Sequence, residues 1–464
     1  MSGALTALLR QAGALKAEGR TEAALALYRR GVADHPENPY AHHNLGAALG
    51  DAGFFKEAAA SARKTLELGL DAPETWLVLA RALMNLDQYG EARAAFEAAI
   101  ARRPALIDAH YELAQLIWMY TADADVALGV LDAALVRDPA NAGLAYARAK
   151  ALEFMGRDEA AREAMARLAS HRPNELPPQL AASYLSARGG RVEDAVAFAK
   201  QACVLAPDSP DALLALASAR LAAGAPQDAA RLAEAALARR RDDQFALAVL
   251  ATAWRAGGDP RARALYDYER LVFARTISPP PGWTNLEAYL QDLSEELKAA
   301  NPYTASPFGQ SVRHGSQRPD VMKVDTPAIA AFEQAADGVI QTFMDTLNGS
   351  DPVSRRNTGR WRRNGAWSVW LRPGGFHADH VHPGGWLSSA FYVEVPDSVT
   401  GADRQGWIEF GRPGVPVQPA LRAEHAVRPQ PGLMVLFPSF MWHGTAPFGG
   451  AAPRLTIAMD VVPD

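Results

Sequence analysis

Small apolar residues recur through the first 270 positions at a nearly constant interval. Ala24, Ala58, Ala92, Ala127, Ala161, Ala195 and Ala229 are separated by 34, 34, 35, 34, 34 and 34 residues. Each interval carries the apolar spacing of two amphipathic helices. The clearest unit begins at Pro73: Trp76, Leu79, Ala80 and Leu83 lie on its first predicted helix, Ala92, Phe96 and Ala99 on its second, and Pro104 stops it. The small residues let the paired helices approach closely, while the large ones fill the space between pairs. Pro36, Pro104, Pro139, Pro173 and Pro207 share one phase and end the second helix. Gly53, Gly156, Gly190 and Gly224 fall in the turns between paired helices. Seven units are clear. An eighth, over 245–268, is weaker, as terminal units are.

A helix–turn–helix unit of this length resembles the tetratricopeptide repeat. The resemblance rests on phase across the whole segment. Such arrays offer an extended concave surface, so the resemblance implies a peptide or protein partner held there. The plainer alternative is an array that only stabilises itself and its neighbour.

The helical texture stops at Ile277-Ser278-Pro279-Pro280-Pro281-Gly282-Trp283, a stiff connector. Two further helices are predicted, over 285–299 and 327–347, with an irregular stretch containing Gln310-Ser311-Val312-Arg313 between them. Beyond Arg355 short apolar runs separated by Gly and Pro appear at 367–371, 387–395, 407–410, 433–437 and 455–462. This pattern predicts a β-sandwich or barrel. The expected organisation is a helical solenoid over 1–275 and a second domain over 276–464, with a helical lead-in at 276–350 and a β core at 351–464.

Composition narrows the picture. At 464 residues the chain is too long for a single core, and 49% apolar with 21% charged residues is the balance of a soluble globular protein. A formal charge of -5 gives no nucleic-acid footprint. The single cysteine, Cys203, sits in an apolar helical stretch and reads as a small buried hydrophobe, not a disulfide partner or nucleophile. The first residues lack a signal-peptide core, and no apolar run is long enough for a bilayer. A cytoplasmic protein with no nucleic-acid or membrane partner is expected.

The chemistry is concentrated in the β segment. Of 11 histidines, four lie in the stretch that includes Phe376-His377-Ala378-Asp379-His380-Val381-His382-Pro383, or later in Trp442-His443-Gly444, and Arg454 follows His443 by eleven residues. Side chains one residue apart on a strand share a face. A third ligand from a distant strand can then close a facial triad with open positions, the layout of non-haem Fe(II) oxygenases. An arginine on the next strand suits a carboxylate, whose two oxygens match its planar fork.

Residues 366–464 resemble the 2-oxoglutarate/Fe(II) oxygenase superfamily, and more closely its aspartyl/asparaginyl β-hydroxylase-like branch. The elements that carry the resemblance are His380-Val381-His382-Pro383, Ser388-Ser389-Ala390-Phe391-Tyr392-Val393, Phe437-Pro438-Ser439 with His443, and Arg454-Leu455-Thr456. The implied fold is multidomain α + β: an all-α tetratricopeptide superhelix followed by a double-stranded β-helix, a cupin-like jelly roll with flanking helices. Two registers are available for the first ligand pair, and on a regular strand they face opposite sides, so that both cannot bind metal. His377-x-Asp379 has the superfamily's usual form, whereas His380-x-His382 fits the closer relatives and is preferred. His382 then stands in the carboxylate position, either as a ligand or only lining the site. The metal set is therefore His380, His382 and His443.

For the cosubstrate, the resemblance implies Arg454 on the distal carboxylate of 2-oxoglutarate, with Thr456 on the same strand face and Ser368 and Ser388 as further binding groups. Trp386, Trp442 and Tyr392 are pocket walls or core aromatics. The cluster Arg355, Arg356, Arg360, Arg362 and Arg363 reads as a solvated strand face. The implied activity is that of a dioxygenase using Fe(II), 2-oxoglutarate and O2 to hydroxylate a peptide or protein side chain presented by the repeats. Oxidation of a small molecule, or a metal-binding but non-catalytic β-domain on a scaffold, are the alternatives.

Overall fold

The computed structural model describes residues 3–401 and 403–464, apart from the side chain at position 400. Its residues form two compact units, divided inside the helical array. One comprises the residues up to Trp118 together with Ala122–Ala151, and the other comprises Met119–Thr121 with Leu152–Asp464.

In the first unit, helices such as Pro39–Asp51, Phe55–Glu67, Pro73–Asn85 and Tyr89–Arg102 alternate with short turns. Proline opens two of these helices, where its missing N–H is no loss. Gly53 turns one pair at φ 81°, a backbone region that costs a side-chain-bearing residue about 1 kcal/mol or more. The phased alanines Ala24, Ala58, Ala92 and Ala127 are all buried, at the close approach that the 34-residue spacing predicts. Among the described residues, no strand interrupts this helical region before residue 273.

The second unit continues the pattern through Asp158–His171, Leu176–Arg188, Val192–Leu205, Pro210–Ala222, Pro226–Arg239 and Gln244–Ala256. The weak eighth unit has a full first helix and only two short ones after it, Arg261–Leu265 and Tyr268–Leu271. There the chain enters a β-domain. Its strands are β1 (Phe273–Thr276), β2 (Val312–Pro319), β3 (Trp361–His377), β4 (Leu387–Glu394), β5 (Ile408–Phe410), β6 (His425–Val427), β7 (Leu433–Pro438), β8 (His443–Thr445) and β9 (Arg454–Pro463). Six form one antiparallel sheet in the order β1-β7-β4-β9-β3-β2, and three form a second, β6-β5-β8.

Two strands lie outside the expected β core. Phe273-Ala274-Arg275-Thr276 continues the helical texture but pairs with β7, and the supposedly irregular Val312–Pro319 pairs with β3. Neither segment alternates apolar and polar residues. Tertiary pairing decides their state, as it often does when local preference is weak.

Helices Leu286–Ala300 and Pro327–Met344 back the large sheet. Phe332 packs against Phe391 with tilted rings at 4.7 Å, and Phe343 stacks on Phe273 at 5.3 Å between ring centres. The last repeat helices share the hydrophobic core of the β-domain. The Trp442 indole donates to Thr252 Oγ1 at 2.9 Å, and the Tyr266 hydroxyl donates to the Phe440 carbonyl at 2.9 Å. The β-domain and the repeats from Leu152 onward are therefore one packed body, with few free surfaces between them to slide.

Candidate metal centre

Strand β9 runs through the middle of the large sheet, between β4 and β3. Its residues Arg454, Thr456, Ala458 and Asp460 alternate onto one face and line a cavity of about 620 Å³ between the two sheets. His443, the first residue of β8, lines the same cavity from the small sheet. Opposite it, β3 ends at His377, and the chain continues through a bend at Asp379 to His380, which forms an isolated bridge with His443.

That early strand end corrects the expectation that the two histidine registers face opposite sides. His377 and His380 both line the cavity. Asp379 lines it too, but its carboxylate receives the Arg412 Nε–H at 2.6 Å and is not among the converging donors, and burial pushes it above the ordinary carboxylate range against the pull of that arginine. The three side chains that converge are His380, His382 and His443, each offering one nitrogen within 4.8 Å of the other two.

Hydrogen bonds fix which nitrogen each ring presents. His380 Nδ1 lies 2.8 Å from the Ala378 carbonyl and His443 Nδ1 lies 2.9 Å from the Met441 carbonyl. A carbonyl can only accept, so Nδ1 carries the proton in both rings and Nε2 is left with a lone pair. His382 Nδ1 lies 2.7 and 2.9 Å from the two Asp460 oxygens, which sets the same tautomer. Burial, reinforced by the neighbouring imidazoles, holds His380 and His443 well below the ordinary histidine range, so these rings are neutral.

The Nε2 atoms of His380 and His382 are 3.1 Å apart. Two ring nitrogens at that distance share a proton or, with both lone pairs free, are drawn together by a cation between them. Two metal–nitrogen bonds of about 2.1 Å at a right angle span about 3.0 Å. The donor set and its spacing therefore fit a divalent metal bound by three neutral imidazoles. Beside it, the Ser311 hydroxyl lies 3.2 Å from His380 Nε2 and 3.0 Å from His377 Nδ1. Burial and the charge of Arg454 lower His377 to about 3.

Arg454 marks the cavity's other end. It is 1% exposed, and among the described residues it donates to the Gly406 carbonyl alone. Among the described residues its Nε–H has no partner, and neither does the hydroxyl of Tyr392, whose ring centre is 5.9 Å from the guanidinium carbon. A buried guanidinium without a counter-charge costs several kcal/mol, so this end is built for an anion. Thr456 stands on the same face two residues along, opposite Tyr392 in the β4–β9 register.

The two serines fall elsewhere. Ser388 shares the inner face but donates to Asp460 Oδ1 at 2.7 Å and bonds Ser439 at 2.9 Å. Ser368 pairs with Ile457 in the β3–β9 register, on the face opposite Arg454, and its buried hydroxyl has no partner. Trp386 donates to the Val353 carbonyl at 3.0 Å within the core, and Trp442 faces the repeats, so Tyr392 alone of the three aromatics lines the cavity. Within the arginine cluster Arg360 and Arg362 are exposed, as a solvated face requires, whereas Arg355 pairs with Asp242, Arg356 donates to the Gly385 carbonyl, and Arg363 pairs with Glu333 and Asp337. Sequence reasoning overlooked Asp460, although the period-two run from Arg454 puts it on the cavity face.

Residues 365–460 match the family described as "Putative 2OG-Fe(II) oxygenase". Residues 13–53 match a family described as TPR repeat, and residues 73–116 one described as Tetratricopeptide repeat. No curated protein matches the chain. Among solved structures, a tetratricopeptide repeat protein from Parabacteroides merdae is 16% identical, with a TM-score of 0.39, over 54% of this chain and 99% of its own. Among the described residues, no helix is long and apolar enough to cross a membrane. By these matches the chain carries tetratricopeptide-type repeats within residues 13–116 and, at residues 365–460, a segment similar to the 2OG-Fe(II) oxygenase family.

Proposed function

We propose that the protein is an Fe(II)- and 2-oxoglutarate-dependent dioxygenase that hydroxylates a side chain of a peptide or protein. The observation that carries this reading is one cavity with three convergent imidazoles at one end and an unpaired, buried Arg454 at the other. Fe(II), when bound, supplies O2 activation coupled to the oxidative decarboxylation of 2-oxoglutarate to succinate and CO2.

The chain's own residues have distinct tasks. His380, His382 and His443 hold the metal through Nε2. Arg454, with Thr456 beside it, binds and orients the distal carboxylate of 2-oxoglutarate. Tyr392 donates its hydroxyl to the same carboxylate. Phe437 and Ala458 wall the cavity and exclude water. Ser311 and His377 stand next to the metal position, where a hydroxyl and a neutral imidazole can hold a hydrogen bond to a bound ligand.

A peptide substrate is favoured because the cavity opens onto repeat helices: Glu153, Phe154 and Arg188 line its mouth. A second groove of about 800 Å³, walled by Tyr184, Leu214 and Phe245 of the repeats, shares His380, Val381 and Pro383 with the cavity wall. In this reading residues 1–275 present the substrate and residues 276–464 carry out the chemistry. Incubation with Fe(II), ascorbate and 2-oxoglutarate tests it: succinate is expected, and its formation is expected to rise when a peptide substrate is supplied. No succinate from metal-loaded protein, with or without candidate peptides, contradicts the catalytic reading.

A further inference from the structure

A centre of three neutral imidazoles leaves a divalent metal with its full double charge. A triad of two histidines and a carboxylate leaves one unit less. The missing negative charge is close by. Asp460, 8% exposed, receives the Nδ1–H of His382 on both of its oxygens, at 2.7 and 2.9 Å. It is itself held in place, because Ser388 donates to Oδ1 at 2.7 Å and Ser439 bonds Ser388 at 2.9 Å. Gly385 leaves room for this group: a Cβ there would lie 2.2 Å from Ser439 Oγ and 3.4 Å from Asp460 Cγ. His380 and His443 have backbone carbonyls on Nδ1, so His382 is the one ligand of the three held by a charged group.

We propose that Asp460 stands in, one hydrogen bond removed, for the carboxylate that this centre lacks among its ligands. It fixes the His382 tautomer with Nε2 toward the metal, raises the basicity of that ring and partly neutralises the bound ion. Asp460 is a positioning residue, since it reaches the metal only through His382. Ser388 belongs to this support and not to the cosubstrate pocket. The inference rests on the metal-centre reading above. Carboxylate–histidine–metal relays of this kind are worth about 10–100-fold in metal affinity.

Co(II) serves as the probe, followed by calorimetry and by its visible absorption spectrum, in the full-length protein. Asp460→Ala is expected to weaken Co(II) binding about 10–100-fold and to alter the spectrum. Asp460→Asn keeps the shape and an acceptor oxygen but removes the charge, and is expected to fall between Asp460→Ala and the parent. It also serves if the alanine variant fails to fold. In a His382→Ala background, Asp460→Asn is expected to add little further loss, because the two act through one bond. Equal Co(II) affinity and spectrum in the parent and in Asp460→Asn overturn the inference while leaving the metal centre intact. Equal losses from Asp460→Asn with and without His382 also overturn it, since they assign Asp460 a merely structural role. A parent protein that takes up no Co(II) overturns the metal-centre reading, and the inference with it.

Discussion

The two ends of the cavity differ in how completely their polar atoms are satisfied. At the histidine end the Nδ1 atoms of His380, His382 and His443 each have an acceptor, the acceptor of His382 is itself bonded by Ser388, and the Nε2 atoms of His380 and His382 face one another at 3.1 Å. At the arginine end two donors, Arg454 Nε–H and the Tyr392 hydroxyl, have no partner among the described residues. One end lacks a cation and the other lacks an anion. Burial makes both deficits expensive, because a polar group cut off from water and left unpaired costs about 1–3 kcal/mol, and a charge more. The deficits are complementary to one bifunctional arrangement: a metal at one pole and, reaching from it, a ligand ending in a carboxylate.

Each substitution below separates the poles. His443→Ala is expected to have the largest effect, since it removes a ligand from the metal itself. Metal uptake measured by calorimetry is expected to fall by more than the roughly 100-fold typical of outer-sphere changes, and 2-oxoglutarate binding is expected to vanish with it. Retained metal affinity would remove His443 from the centre. Arg454→Ala comes next and acts on one pole only. Losing a charged partner in a dry site costs about 2–5 kcal/mol, a thirtyfold to several-thousandfold loss of 2-oxoglutarate affinity, with metal uptake unchanged. Parental 2-oxoglutarate affinity in that variant would move the carboxylate anchor elsewhere. Tyr392→Phe deletes one hydroxyl whose expected partner is charged. About 1.5 kcal/mol, roughly a tenfold weaker 2-oxoglutarate titration, is expected, and no change would leave Tyr392 as a wall. Ser368→Ala is expected to change neither titration, because that hydroxyl lies behind the sheet. Loss of 2-oxoglutarate affinity there would contradict the β3–β9 register as described.

The same contrast governs what could be read in the sequence. The repeats were legible because their packing is local: Ala58 and Ala92 meet neighbours within one period, and the 34-residue phase survives in the residues themselves. His380, His382 and His443 were legible from their spacing and from resemblance. The placement of His377 was not, because it depends on where β3 ends, and that is set by Val312 pairing opposite it across 65 residues of chain. Asp460 meets His382 across 78 positions and Ser388 across 72, so its support appears only once β9 lies beside β4. Ser368 and Ser388 could have been sorted by carrying the alternation of β9 across to its neighbours, which requires the register. The short strands β1 and β2 exist only because β7 and β3 offer unpaired edges to them.

The most direct test of the two-pole account is 2-oxoglutarate binding, measured calorimetrically without oxygen in three samples: metal-free protein, Fe(II)-loaded protein and Fe(II)-loaded Arg454→Ala. Tight binding is expected in the Fe(II)-loaded parent alone, because one pole without the other leaves half of the ligand unmet. Equal binding in all three, or none in the Fe(II)-loaded parent, would contradict the claim that this cavity is built around a metal and a carboxylate together.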